Sequence, residues 1–203
     1  MGKKIIVFDF DKTLTKNDTI FGFYLYVTKK NLLFPCKIVL YVIIILLSKL
    51  KLINNTSLKK LGVFFFLSGL DIDFLKDKSK SYISQIKYNF LYEEFNFDDP
   101  NLNILILSAS YEIYLKHIFP KNVRVIGSKL SVANGKVCGL NSNCYSENKL
   151  ISLKNQGITN IHTFFTDSFS DKPLASIAER INLVEKNKII SFSNFDNFIN
   201  YFE

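Results

Sequence analysis

Arginine is nearly missing from this chain: Arg124 and Arg180 are the only two in 203 residues, although the formal net charge is +8. Arginine supplies the bidentate contacts that read bases and grip phosphate backbones, so nucleic acid is not an expected partner. The positive charge is scattered lysine. It reads as a solvated surface with at most a mild attraction for anionic substrates or anionic membrane surfaces. Cysteine is also scarce. Cys36, Cys138 and Cys144 stand far apart with no CxxC pair, which argues against a disulfide framework or structural zinc and suits a reducing cytoplasm. The first apolar run ends at Asp9 with no small-residue cleavage site behind it, so no export signal is expected. No internal repeat or low-complexity linker is present. What the chain does have is apolar residues, 48 % of the total, with 15 % aromatic. Disorder is thereby excluded, and the length allows one good core and a smaller second unit.

Read along the chain, residues 3–9 form a buried strand, β-branched and apolar on both faces, as in a parallel sheet. Residues 16–90 then change character, with long apolar runs mixed with lysine and little strand alternation. Further core strands are expected at 103–108, 123–126 and 161–166, and a last one at 188–191. A hairpin is expected over 128–139 around Asn134-Gly135. Helices are expected at 111–119, stopped by Pro120, at 146–156, closed near Gly157, at 172–183 and at 195–202. Strands alternating with helices indicate an α/β sheet with right-handed crossovers. The helical stretch inserted after the first strand is a separate, cap-like unit.

The longest apolar run, Ile38–Leu47, has ten residues. A membrane-spanning helix needs roughly 20, and Pro35, Lys37, Ser48 and Lys49 cut this one short. A helix buried in the cap is the expected reading, because such greasy helices most often cover each other, and a helix lying at a membrane interface is the alternative. Val63-Phe64-Phe65-Phe66-Leu67 adds a second greasy surface, so residues 32–70 are the candidate for peripheral membrane contact.

Chemistry-bearing residues gather at the carboxyl ends of the strands. Asp9 and Asp11, two apart in an extended chain, point to one face just beyond the first strand, where open α/β sheets bind ligands. Ser108 with Ala109 and Ser110 follows the second strand, Lys149 lies at a helix start, and Asp167 and Asp171 follow the fourth strand. Each has a bland alternative: Ser108, Asp167 and Asp171 as helix caps, Lys149 as a surface lysine. Together they share one chemistry. Carboxylates make a hard oxygen site suited to Mg²⁺, and a hydroxyl, helix-start N–H groups and one lysine suit a phosphoryl group.

The order and spacing of Asp9-Phe10-Asp11-Lys12-Thr13-Leu14-Thr15, Ser108, Lys149 within Tyr145-Ser-Glu-Asn-Lys-Leu150, and Thr166-Asp167-Ser168-Phe169-Ser170-Asp171 resemble the haloacid dehalogenase superfamily. The resemblance is to its phosphatase branches with a helical cap after the first motif, and it spans Ile5 to about Leu183. It implies a Rossmann-like parallel-sheet core, residues 1–15 and 91–203, flanked by helices and carrying an all-helical cap, residues 16–90. It further implies Asp9 as the nucleophile that forms an aspartyl-phosphate and Asp11 as general acid and base. Mg²⁺ would be held by Asp9, the Asp11 carbonyl and Asp167, supported by Asp171. Ser108, Ala109 and Lys149 would hold the phosphoryl oxygens, and the Thr13 hydroxyl would orient the first loop.

Several departures bear on substrate. Lys12 stands where a Gly is frequent, which implies a turn with no positive φ and a cation at the mouth. The Asp-Ser-x-x-Asp element resembles the phosphatidylglycerophosphatase-like group more than typical phosphoserine phosphatases. Asp18 lies where phosphoserine phosphatases carry an acid for the substrate amine, though an N-cap role is an equal reading. No arginine lies within 16–90 to meet a substrate carboxylate, unless a lysine substitutes. The expected substrate is therefore a small amino-alcohol, glycerol-type or polyol phosphate. A phosphatidylglycerophosphate-like lipid, phosphoserine, and an inactive phosphate-binding module are the alternatives. The expected location is the cytoplasm, with possible contact at the inner membrane face; sequence gives no oligomeric state.

Overall fold

The computed structural model describes residues 4–28 and 34–202. Lys3, Leu32 and Leu33, which the expected first strand and apolar stretch include, lie outside the described residues. In chain order the elements are β1 (Ile5–Phe8), α1 (Ile20–Thr28), α2 (Phe34–Lys49), α3 (Asn55–Gly62) and α4 (Ile72–Tyr82). Then come α5 (Phe90–Glu94), β2 (Asn103–Tyr111), α6 (Glu112–Leu115), β3 (Arg124–Ala133) and β4 (Lys136–Ser142). The chain finishes with α7 (Glu147–Lys154), β5 (Ile161–Thr166), α8 (Lys172–Ala175), β6 (Ala178–Glu185), β7 (Lys188–Phe192) and α9 (Phe195–Asn200). A turn of π-helix, Val63–Leu67, extends α3.

The seven strands run in the order β4-β3-β2-β1-β5-β6-β7. The five central strands pair in parallel, and an antiparallel strand closes each edge. Side chains alternate across the pleat, which divides the core in two. Phe8, Ile104 and Ile106 face one cluster, which also takes in Phe23, Tyr24 and Phe66 of the insertion between β1 and β2. Val7, Leu105 and Leu107 face the other, closed by Leu153, Leu174 and Phe198 of α7, α8 and α9. Aromatic rings fill much of the first cluster: Phe8 stacks on Phe165 at 4.6 Å and meets Phe95 edge-on at 4.8 Å.

Most expected elements are present, and two are corrected. The helix expected over 172–183 is only α8, and residues 178–185 form β6 between β5 and β7. Ala, Glu, Arg and Leu favour a helix locally. Pairing on both sides and burial of Ile181, Leu183 and Val184 override that preference. The helix expected over 111–119 shrinks to α6, because β2 runs on to Tyr111 through an irregularity that pairs Tyr111 with Ser128. The strand at 123–126 and the first arm of the hairpin are one strand, β3. Its turn, Asn134-Gly135, has both φ angles positive, as a two-residue hairpin demands.

The insertion grips the far edge of the sheet through its backbone. Gly69 N donates to Val137 O, Val137 N to Leu70 O, and Ile72 N to Gly135 O, at 2.8–2.9 Å. On the outer side of the insertion, α2 has a single buried residue, Tyr41. Among the described residues no helix is long and apolar enough to cross a membrane.

Candidate active site

β1 delivers Asp9 to the centre of the sheet's carboxyl edge, where its N–H donates to Phe165 O at 2.9 Å. A cavity of about 230 Å³ opens there, lined by Asp9, Asp11, Asp18, Lys59, Ser108, Ala109, Lys149, Asp167 and Asp171 among others. The strand ends thus bring together every expected site residue except Thr13.

Lys149, buried on the first turn of α7, donates to Asp9 Oδ1 at 2.7 Å and to Asp171 Oδ2 at 2.8 Å. Asp171 Oδ2 also accepts from the Thr166 hydroxyl at 2.9 Å, whereas Asp171 Oδ1 is buried without a hydrogen-bond partner among the described residues. The two acids hold the Lys149 ammonium firmly charged against the cost of its burial. Burial pushes the Asp9 carboxyl well above the usual carboxylate range; Lys149 opposes this, while Asp171 and Asp167 add to it. Burial raises Asp167 as well, with Lys12 opposing. More negative charge converges here than Lys149 can neutralise.

Asp11 is held differently. Its Oδ1 accepts from Thr19 N at 2.8 Å and Thr19 Oγ1 at 2.6 Å, and its Oδ2 from Ser110 Oγ at 2.5 Å. Among the described residues no ion pair holds it, and burial, aided by Asp18, pushes its carboxyl up to about 6 against the pull of those hydrogen bonds. Tyr114 and Tyr82 brace Thr19 in turn, through its hydroxyl and its carbonyl.

Lys59 of α3 is buried beside the same cavity. It donates to Ala109 O at 2.6 Å, Ser128 Oγ at 3.1 Å and Asn143 Oδ1 at 2.5 Å. Among the described residues it makes no ion pair, and burial lowers its ammonium to about 8, with Asp11 opposing from a distance. The sign of the consequence follows. The charge is costly while the folded chain keeps it, and folding is favoured as pH rises from about 8 towards the ordinary lysine value of 10.5. Lys59→Met is accordingly expected to change melting temperature more favourably at pH 7 than at pH 10, measured by thermal unfolding of both proteins at each pH.

A model of the haloacid dehalogenase-like hydrolase family matches residues 6–176. The chain belongs to that family. Similar folds include a protein of unknown function from Bordetella pertussis, with TM-score 0.66, 12 % identity and 86 % of each chain covered. A phosphoserine phosphohydrolase-like protein from Francisella tularensis has TM-score 0.63 and 17 % identity, over 88 % of this chain and 85 % of that one. A substrate-bound phosphoserine phosphatase has TM-score 0.60 and 18 % identity over 99 % of each chain. No curated protein matches the chain.

Within this haloacid dehalogenase-like hydrolase fold, two details of the first loop differ from expectation. Lys12 does adopt positive φ, +59°, and its N–H donates to Thr15 Oγ1 at 3.0 Å. The left-handed turn is kept without glycine, at a local steric cost. Thr13 Oγ1 is buried without a hydrogen-bond partner among the described residues, and it is the Thr15 hydroxyl that ties the loop together. Asp18 lines the cavity, and its Oδ1 accepts from Ile20 N at 3.1 Å at the start of α1.

Thr19 and Lys59 are not among the expected site residues, and the bond of Ser110 to Asp11 is not foreseen either. Lys59 carried a signal: it falls in helical step with Gly62, Val63 and Phe66, on the apolar face. Ser110 depends on Gly127 behind it, where a Cβ would stand 2.7 Å from Ser110 O and 2.8 Å from Glu112 N. Gly127→Ala is therefore expected to cost about 1–3 kcal/mol and to lower turnover by displacing Ser110 from Asp11, read by thermal unfolding and kcat.

The donor set fits a hard divalent cation. Asp9, Asp167 and the orphaned Asp171 Oδ1 offer carboxylate oxygen beside an excess of negative charge. Among the described residues no three His, Cys, Asp or Glu side chains already surround one point; Lys149 stands between Asp9 and Asp171 instead.

Proposed function

We propose that the chain is a Mg²⁺-dependent phosphatase that hydrolyses a phosphomonoester through an aspartyl-phosphate on Asp9. The observation that carries this reading is the pairing of two carboxylates in one cavity, Asp9 held by a lysine and Asp11 held only by hydroxyl and backbone donors. Asp9 attacks phosphorus, the ester P–O bond breaks, and Asp11 gives its proton to the departing alkoxide. Asp11 then takes a proton from water, the oxygen attacks phosphorus, and the Asp9–phosphorus bond breaks to release phosphate. Ser108, Ala109 and Lys149 hold the phosphoryl oxygens and offset their charge. Asp9, the Asp11 carbonyl, Asp167 and Asp171 would hold Mg²⁺, which supplies charge neutralisation for phosphate and carboxylates. Residues 16–90 serve as the cap, with 1–15 and 91–203 as the core. The three free thiols suit a cytoplasmic setting.

The substrate favoured is a small amino-alcohol, glycerol-type or polyol phosphate. A lysine has three N–H donors, and Lys59 spends three on Ala109, Ser128 and Asn143, leaving none for a substrate carboxylate. Asp18 offers a partner for an amine or hydroxyl. One observation favours a second reading, a lipid phosphomonoester. A further cavity of about 440 Å³, walled by Ile20, Phe21, Tyr41, Ile45 and Leu58, adjoins the site and shares Asp18 and Lys59 with it.

The test is a turnover screen with Mg²⁺ over phosphomonoesters of amino alcohols, glycerol, polyols and lipids, repeated with chelator. Release of phosphate that chelation stops and Mg²⁺ restores is expected; no turnover of any ester overturns the reading. Asp11→Asn is expected to cost about 10²–10⁴-fold in kcat on alkyl phosphates. An aryl phosphate with a good leaving group should still phosphorylate Asp9 in that variant, and the phosphoenzyme should accumulate in intact-protein mass spectra.

A further inference from the structure

We propose that the outer face of α2 docks this protein on anionic lipid bilayers. Val39, Leu40, Ile43 and Leu46 form an outward stripe on α2, and Leu50 and Leu52 continue it into the following turn. Their exposure is high: 60 % for Val39, 54 % for Leu46 and 69 % for Leu50. A contiguous apolar surface of this kind needs an occupant in water. The opposite side of α2 packs on the insertion through Tyr41, Ile38 and Ile45, so the stripe is left uncovered among the described residues.

Charge selects the occupant. Between Asp18 and Asp71 the sequence has no Asp or Glu but seven lysines, of which Lys49, Lys51 and Lys60 are exposed at the end of α2, in the turn and on α3. A second copy of this chain seated stripe to stripe would bring the lysines of residues 19–70 against their own copies, with no acid within that segment to relieve them. A bilayer containing anionic lipid accepts the apolar side chains and meets the flanking ammonium groups with phosphate. The length of α2, 16 residues with lysine near both ends, suits lying in the interface, not crossing it. Ile45 and Tyr41 line the apolar cavity beside the site, so docking through α2 would hold the site entrance near the lipid surface. This inference does not rest on the phosphatase reading, because binding is measured without turnover.

The test uses the full chain with vesicles of phosphatidylcholine alone or mixed with phosphatidylglycerol, the bound fraction being read by flotation. The parent is expected to float with the phosphatidylglycerol vesicles at least about tenfold more than with phosphatidylcholine alone, and to be released by high salt. I43D/L46D is expected to lower that binding at least about tenfold while keeping the parent's melting temperature and any turnover of a water-soluble ester. K49E/K51E, which leaves the stripe intact, is expected to lose the preference for phosphatidylglycerol. The proposal is overturned if the parent floats with neither vesicle, or if I43D/L46D floats as the parent does. It is overturned equally if the parent forms a dimer that I43D/L46D dissolves, which would give the stripe to a second copy.

Discussion

Replacing Asp9 by Asn is expected to lower turnover by about 10⁴-fold or more while leaving the fold intact. The amide keeps the shape of the carboxyl, and its oxygen can still accept from Lys149, which now stands 2.7 Å from Asp9 Oδ1. What disappears is the anionic oxygen that would bond to phosphorus. The effect on stability should have the opposite sign. Asp9 is buried beside Asp171 and Asp167, and both raise its carboxyl. Removing one negative charge relieves that repulsion, so the melting temperature should hold or rise, as is common where a site is kept strained for activity. Turnover and thermal unfolding of D9N read the two effects separately. Retained turnover would sink the aspartyl-phosphate mechanism and leave the fold assignment untouched.

Lys149→Met is expected to do the reverse damage, to structure as well as to chemistry. The ammonium is the shared partner of Asp9 and Asp171, both buried. A buried pair broken from one side leaves uncompensated charge, which costs about 3–5 kcal/mol. Loss of the hold on the phosphoryl group proposed for it is expected to cost about a further 10²–10³-fold in kcat, roughly what one such donor contributes. Magnesium separates the two effects. With Asp9 and Asp171 unpaired, added Mg²⁺ should raise the melting temperature of K149M more than that of the parent, since binding to the folded state alone stabilises it. Equal shifts would show that these two acids do not take part in cation binding.

The parts of the site that were legible in sequence are those whose position follows from local structure. Asp9 and Asp11 lie at the end of an apolar β-branched strand, Asp167 lies one residue beyond another, and Lys149 sits on the first turn of a helix bounded by Ser146 and Gly157. Such residues are placed by strand ends and helix starts. Thr19 and Lys59, and the partner that Ser110 takes, are set by contacts across the fold: Ser110 reaches Asp11 from 99 residues away and Lys59 reaches Ala109 from 50. The strand β6 was hidden for a related reason. Its residues favour helix in isolation, and only the neighbours at β5 and β7 make it a strand. Lys12 hid a left-handed turn because lysine seldom adopts one, and Thr15 holds it from three residues on.

The backbone bonds between residues 69–72 and the β3–β4 hairpin have a consequence for substrate entry. A lid that swings on its two connections alone would leave the sheet behind. Here the insertion and the far sheet edge are laced together at Gly69, Leu70 and Ile72, and Lys59 adds a side-chain tie to Ala109, Ser128 and Asn143. Opening must either break those ties or carry the hairpin along with the helices. In the second case the amides of Gly69, Ile72 and Val137 would stay protected from hydrogen exchange during any opening.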